Sequence, residues 1–119
     1  MAKYVDGFIV PVRTDQLEAY RQFSEQAGKI WRELGALEYI ECVGDDVPLG
    51  KLTCFAQAVQ LEPQETVVFA WIVYPSRTER DRINRAVMQD QRLAGADPKS
   101  MPFDPKRMIW GGFDVLVSL

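Results

Sequence analysis

The chain has 119 residues, 47% hydrophobic and 26% charged, which predicts one soluble globular domain over residues 1–119 and argues against disorder. Its net charge of −3 argues against a nucleic-acid partner. Two cysteines are too few for a disulfide scaffold or a cysteine-only zinc site. Histidine is absent, which excludes Ser–His and Cys–His nucleophile pairs and histidine-ligated metal or haem. Any catalysis would use carboxylates, tyrosine, lysine, arginine, cysteine or a borrowed cofactor, and we expect no metal and no resident cofactor.

The first predicted strand covers residues 3–13, "KYVDGFIVPVR". Tyr4, Asp6 and Phe8 alternate onto one face of it, as a strand requires. Because Asp6 and Gly7 interrupt the apolar segment, it is a poor secretory signal. No apolar run approaches the roughly 20 residues that span a bilayer. We therefore expect a cytoplasmic protein with no membrane partner.

A long helix is predicted over residues 14–34. Thr14 or Asp15 can accept its first N–H groups, and Asp15 with Glu18 has the spacing of a capping box. Gly35 stands where a left-handed C-terminal cap is expected. One apolar stripe follows the three- and four-residue steps of a helix: Leu17, Tyr20, Ala27, Ile30, Trp31 and Leu34.

Residues 36–45 predict a second strand, and residues 52–61 predict a weaker strand that returns from it as a hairpin. A turn near Pro48 would place Cys42 opposite Cys54, because each lies six residues from the proline. We favour two buried thiols at these positions over a redox-responsive pair.

The second half repeats this order of elements. Residues 65–75, "ETVVFAWIVYP", predict a strand covered on both faces, and Ser76 with Glu79 forms a capping box that opens a helix to about Asp90. Residues 106–119 predict the last strand. Strand, helix, strand, then strand, helix, strand is the ferredoxin-like βαββαβ pattern of the α+β class, with an antiparallel sheet and one extra hairpin strand.

The predicted sheet carries apolar side chains on both faces. Val67, Phe69 and Trp71 alternate with Val68 and Ala70 along the central run. Two helices cover only one face of an antiparallel sheet, and an exposed apolar face of this size is unusual for a soluble monomer. We therefore expect a homodimer that packs sheet face to sheet face.

Four stretches together resemble a known family: "KYVDGF", "ECVGDDVPLGK", "ETVVFAWIVYPSRTERD" and "MPFDPKRMIWGGF". They are similar to the YbaA-like family of uncharacterised bacterial proteins, within the dimeric α/β-barrel superfamily. The resemblance implies a ferredoxin-like fold, a homodimer and a cytoplasmic bacterial protein. It implies no settled activity and no catalytic residues.

Seven residues are candidates for a pocket. Asp6 and Glu41 are carboxylates in apolar strands and could act as bases, although solvation or pairing with a basic residue is the commoner role. Arg107 could hold an anionic ligand, but pairing with Asp6 or Asp104 is the favoured interpretation. Four aromatic residues could line the pocket, with plain core or interface packing favoured: Tyr4, Trp71, Tyr74 and Trp110.

The sequence leaves three functions open. The leading hypothesis is a homodimer that binds a small apolar or aromatic molecule in a cavity at the sheet. The first alternative is a cofactor-independent monooxygenase or isomerase that uses Asp6 or Glu41 as its base and Arg107 as its anion holder. The second alternative is a structural or regulatory dimer without a ligand.

Overall fold

The computed structural model describes residues 3–93 and 98–119. A four-stranded sheet is its centre, and a 3₁₀ turn over Thr14–Gln16 leads into the long first helix. In chain order the elements are β1 (Tyr4–Arg13), α1 (Leu17–Leu34), β2 (Glu38–Val43), α2 (Phe55–Ala58), β3 (Glu65–Tyr74), α3 (Arg77–Gln89) and β4 (Ile109–Asp114).

The sheet is antiparallel throughout, with the strand order β2–β3–β1–β4. The two central strands pair over their whole length, from Tyr4 opposite Tyr74 to Arg13 opposite Glu65. This order confirms the predicted ferredoxin-like α+β fold. Within one chain the sheet is open, since its edges β2 and β4 do not meet.

Both long helices lie on one face of the sheet, where they form two groups of buried side chains. The first group joins Ile30 of α1 and Ile83 of α3 to Ile72 and Tyr74 of β3. The second joins Tyr20 of α1 to β1 and β3 through Val10, Val12 and Val68. Phe8 packs against both groups, so it lies where the two halves of the core meet.

The helix ends test two predicted capping boxes. At Ser76 the predicted cap is confirmed, because its hydroxyl accepts a hydrogen bond from the Glu79 N–H at 3.2 Å. The Glu79 carboxylate binds Arg82 instead of completing the box. The prediction at Asp15 is wrong. Its carboxylate binds the guanidinium of Arg13 at 2.7 Å instead, and α1 begins after Gln16 without a side-chain cap. A charged donor two residues away is a stronger partner than a backbone N–H.

The predicted hairpin strand over residues 52–61 is wrong. This segment contains the short helix α2, which begins at Phe55 and is followed by Val59. Val59 is buried, and the Phe55 ring packs against Phe69. The Ala58 N–H donates to the Cys54 oxygen at 3.0 Å, so the segment satisfies these backbone groups within a helical turn and not along the sheet edge. The last strand is also shorter than predicted, ending at Asp114.

Because the hairpin is absent, the predicted placement of the two cysteines is wrong as well. Cys42 lies on β2 with its side chain exposed, and Cys54 lies at the start of α2, half-buried. Both are free thiols. No helix within the described residues is long and apolar enough to cross a membrane.

The second face of the sheet, which we call the open face, is not covered by α1 or α3, and Phe55 of the short helix α2 packs against Phe69 on it. The strand register places Cys42, Phe69, Ile9 and Ile109 side by side across all four strands there. Phe69 is 45% exposed and Phe113, farther along β4, is 61% exposed. The open face is therefore the apolar face, covered by neither long helix, that the sequence predicts.

Candidate functional site

A cavity of about 400 Å³ lies between the sheet and the two long helices. Phe8 of β1 and Ala70 of β3 form part of its floor, while Ala27 of α1 and Val87 of α3 form part of its walls. Met88 and Trp110 line it and are also well exposed, which places them at its rim. A cavity of this size falls within the range of small-molecule pockets, roughly 300–1,000 Å³.

Glu41 brings a carboxylate to one wall of this cavity. Residue 41 pairs with Ala70 in the sheet, so its side chain projects toward α1. Three hydroxyl groups donate to it: Tyr20 to Oε1, and Ser24 and Tyr39 to Oε2, with the Tyr39 bond at 2.8 Å. Tyr20 and Ser24 are one helical turn apart on α1, which aims both at the same carboxylate.

The two tyrosines of this cluster are held in their protonated form. Burial, reinforced by the nearby charge of Glu41, raises the pKa of Tyr20 and of Tyr39 well above the ordinary tyrosine value. A protonated phenol donates its hydrogen bond, so both hydroxyls remain donors to Glu41 throughout the neutral pH range.

Asp6 brings a second carboxylate, which is 1% exposed and fully partnered. The Arg80 guanidinium reaches it from α3, with Nη2 2.9 Å from Oδ1 and Nε 3.0 Å from the same oxygen. The Arg80 side chain lies over the rings of Tyr4 and Trp110, 5.3 Å and 5.8 Å from their centres. The charge of Asp6 is therefore balanced by that of Arg80. The two aromatic rings and the carboxylate together suit a guanidinium group.

Three further side chains complete the Asp6 cluster. The Tyr74 hydroxyl donates to Oδ2 at 2.9 Å and the Asn84 amide to the same oxygen at 3.3 Å. The Trp31 indole N–H in turn donates to Asn84 Oδ1 at 3.0 Å. Burial and the charge of Asp6 raise the pKa of Tyr74. This network connects β1, β3, α1 and α3 and closes one end of the cavity.

Arg107 does not line the cavity. Its guanidinium binds Glu65 at 2.6 Å and Asp104 at 2.9 Å, and it donates to the backbone oxygen of Gln60 at 3.0 Å. These bonds lower the pKa of Glu65 and of Asp104. Arg107 thus links the segment before β4 to the start of β3, and its predicted pairing with Asp104 is confirmed. The other predicted partner, Asp6, is paired with Arg80 instead.

The aromatic candidates separate into two groups. Trp110 is at the cavity rim, while Tyr4 and Tyr74 stand behind the wall, in contact with Arg80 and Asp6. Trp71 contributes to the floor, but its ring packs against Phe69 on the open face, with ring centres 5.8 Å apart. Four of the seven candidates therefore border the cavity: Asp6, Glu41, Trp71 and Trp110.

Sequence reasoning missed the partners of both carboxylates. Arg80 and Asn84 lie one turn apart on the side of α3 that also carries Ile83 and Val87. Ser24 is likewise a polar residue in the apolar stripe of α1 and is buried. Polar residues inside an apolar stripe are the signal that would have found them.

No group of three or more cysteines, aspartates and glutamates within residues 3–93 and 98–119 is placed to hold a metal ion. Oxygen ligands for a hard cation would need several carboxylates at one point, and the two cavity carboxylates belong to separate clusters.

Comparison with known proteins identifies relatives of the whole chain. Residues 3–105 match the family described as "Protein of unknown function (DUF1428)". The chain is 49% identical over 115 residues to the uncharacterised protein YbaA of Escherichia coli strain K12, covering 97% of each. The Shigella flexneri YbaA protein is similar to the same extent. These matches confirm the YbaA-like resemblance.

Two solved structures, both from an uncultured marine organism, share the fold. Each is described as a dimeric ferredoxin-like protein. The first has a TM-score of 0.63 at 12% identity and covers 100% of each chain. The second has a TM-score of 0.53 at 10% identity and covers 100% of this chain and 98% of the other. At these identities the likeness shows the fold alone.

Proposed function

This chain belongs to the DUF1428 family of proteins of unknown function, and we propose that it binds a small apolar or aromatic molecule in the cavity between the sheet and the helices. The supporting observation is the cavity itself, about 400 Å³ in volume and walled by aromatic and aliphatic side chains, with the polar atoms concentrated at Glu41 and Asp6. A mostly apolar pocket with a few placed polar groups is the usual form of a small-molecule site.

Three of the four methionines line the cavity, which supplies a direct test. With ¹³C-labelled methionine methyl groups, titration with ethylbenzene should shift the NMR signals of Met88, Met101 and Met108. Filling the floor with Ala70→Leu should weaken ethylbenzene binding about tenfold, because the added carbons occupy the ligand's space. Native mass spectrometry of freshly purified protein would reveal a natural ligand.

The matched control is Ala19→Leu, which adds the same atoms to an exposed position of α1. It should leave the ethylbenzene affinity unchanged. If ethylbenzene shifts none of the three signals, or if both variants bind it equally well, the binding proposal is wrong. The remaining alternative would then be a structural or regulatory dimer without a ligand.

We also propose that the protein is a homodimer joined through the open face. Phe69, Ile109 and Phe113 supply exposed apolar area on that face, and burying it against a second copy removes it from water. The description of the two marine proteins as dimeric agrees with this. Two free cysteines favour a cytoplasmic location, where thiols stay reduced.

Sedimentation velocity tests the dimer. The wild-type protein should sediment as a particle of twice the 13.6 kDa chain mass. Phe69→Glu places a charge in the middle of the open face and should give monomers, whereas Ala19→Glu, an exposed change on α1, should not. A wild-type monomer at micromolar concentration would contradict the proposal.

A second function is compatible with the same cavity: a cofactor-independent oxygenase or isomerase. Glu41 supports it, because its carboxylate faces the cavity with hydroxyl partners only. Asp6 does not support it, since its carboxylate is ion-paired with Arg80, and Arg107 lies outside the cavity. Proton–deuterium exchange of phenylacetone in D₂O would test Glu41 as the base: the wild-type protein should accelerate it and Glu41→Gln should not.

A further inference from the structure

The two carboxylates that border the cavity differ in charge balance. Asp6 is paired with Arg80 at 2.9 Å. Glu41 has Tyr20, Ser24 and Tyr39 as partners, all of them neutral hydroxyls. Within residues 3–93 and 98–119 no lysine or arginine forms an ion pair with Glu41, and no other charged side chain lines the cavity. Of the two carboxylates that border the described cavity, Glu41 is therefore the one without a cationic partner.

Such a charge is costly unless something compensates for it. A carboxylate facing an apolar space loses much of its hydration, and a buried charge is normally paired. Three hydroxyl bonds offset part of this loss but leave the net charge in place. A cationic ligand would supply the missing counter-charge when it enters the cavity.

The hydrogen-bond geometry of Glu41 leaves room for one more donor. A carboxylate accepts about four hydrogen bonds. Oε2 receives two of them, from Ser24 and Tyr39, whereas Oε1 receives one, from Tyr20. Because burial and Glu41 raise the pKa of both tyrosines, their hydroxyls stay protonated and keep donating to Glu41.

Aromatic rings surround this position. Tyr20 and Tyr39 line the cavity beside Glu41, and the Trp31 ring lies 5.9 Å from that of Tyr39. Ring faces attract cations as well as apolar groups. The walls thus suit an ammonium group next to Glu41 and an apolar body that extends along the cavity toward Phe8 and Trp110.

From these observations we propose that the cavity selects amines: molecules with a protonated amino group on an aromatic or apolar body, whose N–H donates to Oε1 of Glu41. The inference rests on the proposed binding function and names the class of ligand that the same site takes. An anionic ligand of the same shape would face Glu41 without a counter-charge and should be rejected.

Three probes of nearly equal shape separate the possibilities: 2-phenylethylamine, ethylbenzene and 3-phenylpropionate. Their dissociation constants at neutral pH follow from the methionine methyl signals. 2-Phenylethylamine should bind the wild-type protein about tenfold more tightly than ethylbenzene, from one charge-assisted hydrogen bond, and 3-phenylpropionate should bind more weakly than both.

Glu41→Gln should remove the preference for the amine while ethylbenzene still binds, which also shows that the cavity has survived the change. Glu25→Gln, an exposed carboxylate on α1, is the matched control and should preserve the preference. If ethylbenzene binds and the amine has no advantage, the amine inference fails and the binding function stands. If none of the three probes binds, both fail. The ranking in the wild-type protein decides the matter even if Glu41→Gln does not fold.

Discussion

Arg80 on α3 and Asp6 on β1 form a paired charge inside the fold, with Nη2 2.9 Å from Oδ1 and side-chain exposures of 13% and 1%. They are 74 residues apart in the chain. The pair joins α3 to a central strand, and Tyr74 and Asn84 bind the same carboxylate. It is therefore a structural junction at one end of the cavity.

Arg80→Ala should lower the free energy of unfolding by about 3–5 kcal/mol, because it leaves a buried carboxylate without its counter-charge. Urea unfolding measures this loss. Arg21→Ala is the matched control: its side chain is 59% exposed while it pairs with Glu18, so the loss should stay below about 1 kcal/mol. The double variant Asp6→Asn with Arg80→Met should recover most of the stability. Equal losses for the two single variants would contradict this account.

Gly28→Ala should destabilise the protein, although alanine normally favours a helix over glycine by about 1 kcal/mol. A Cβ at position 28 would lie 2.6 Å from Cδ1 of Tyr39, so the Tyr39 ring must move and its bond to Glu41 weakens. We expect a net loss of about 1–2 kcal/mol in thermal or urea unfolding. Gln26→Ala, at an exposed position of α1, should be neutral or stabilising. A stabilised Gly28→Ala protein would show that the close approach is not tight.

Alkaline pH should weaken the fold through three buried tyrosines. Burial raises the pKa of Tyr20, Tyr39 and Tyr74 above the ordinary value of 10.0. The unfolded chain releases these protons near pH 10 while the folded chain retains them. The stabilisation is therefore complete below pH 10 and declines above it, by up to about 1.4 kcal/mol per pH unit for each tyrosine.

Urea unfolding at a series of pH values, together with tyrosinate absorbance, measures this decline. Tyr74→Phe should make it less steep by about one tyrosine's share. Tyr4→Phe is the control, because it also removes one tyrosine hydroxyl while it retains the ring contact with Arg80. A free energy of unfolding that stays constant above pH 10 would contradict the expectation.

Arg107→Ala should cost about 2 kcal/mol of stability and leave ethylbenzene affinity unchanged, because Arg107 binds Glu65 and Asp104 and does not line the cavity. Its effect should also depend on acid pH. Arg107 lowers the pKa of Glu65 below its ordinary 4.5, so this part of the stability is present above that value and is lost as the pH falls through the lowered pKa. A weakened affinity in an equally stable variant would instead assign Arg107 to ligand binding.

Much of the fold followed from local patterns in the sequence. The apolar stripe of α1, the Ser76 cap and the alternation of β1 and β3 each depend on neighbours within a few residues, so the sequence specifies them directly. The same patterns predicted two apolar sheet faces. The hairpin prediction failed because the strand pattern of residues 52–61 is weak, and the segment forms a helical turn followed by the buried Val59.

The site depended on contacts that the sequence does not display. Asp6 and Glu41 are alike as sequence features, each a carboxylate in an apolar strand. Only the packing of α3 brings Arg80 to Asp6, and only the packing of α1 brings Tyr20 and Ser24 to Glu41. Asp6 thereby joins an ion pair at one end of the cavity, whereas Glu41 lies on the cavity wall without a cationic partner. The charge environment of a residue depends on distances in space, and these are set when the helices dock on the sheet.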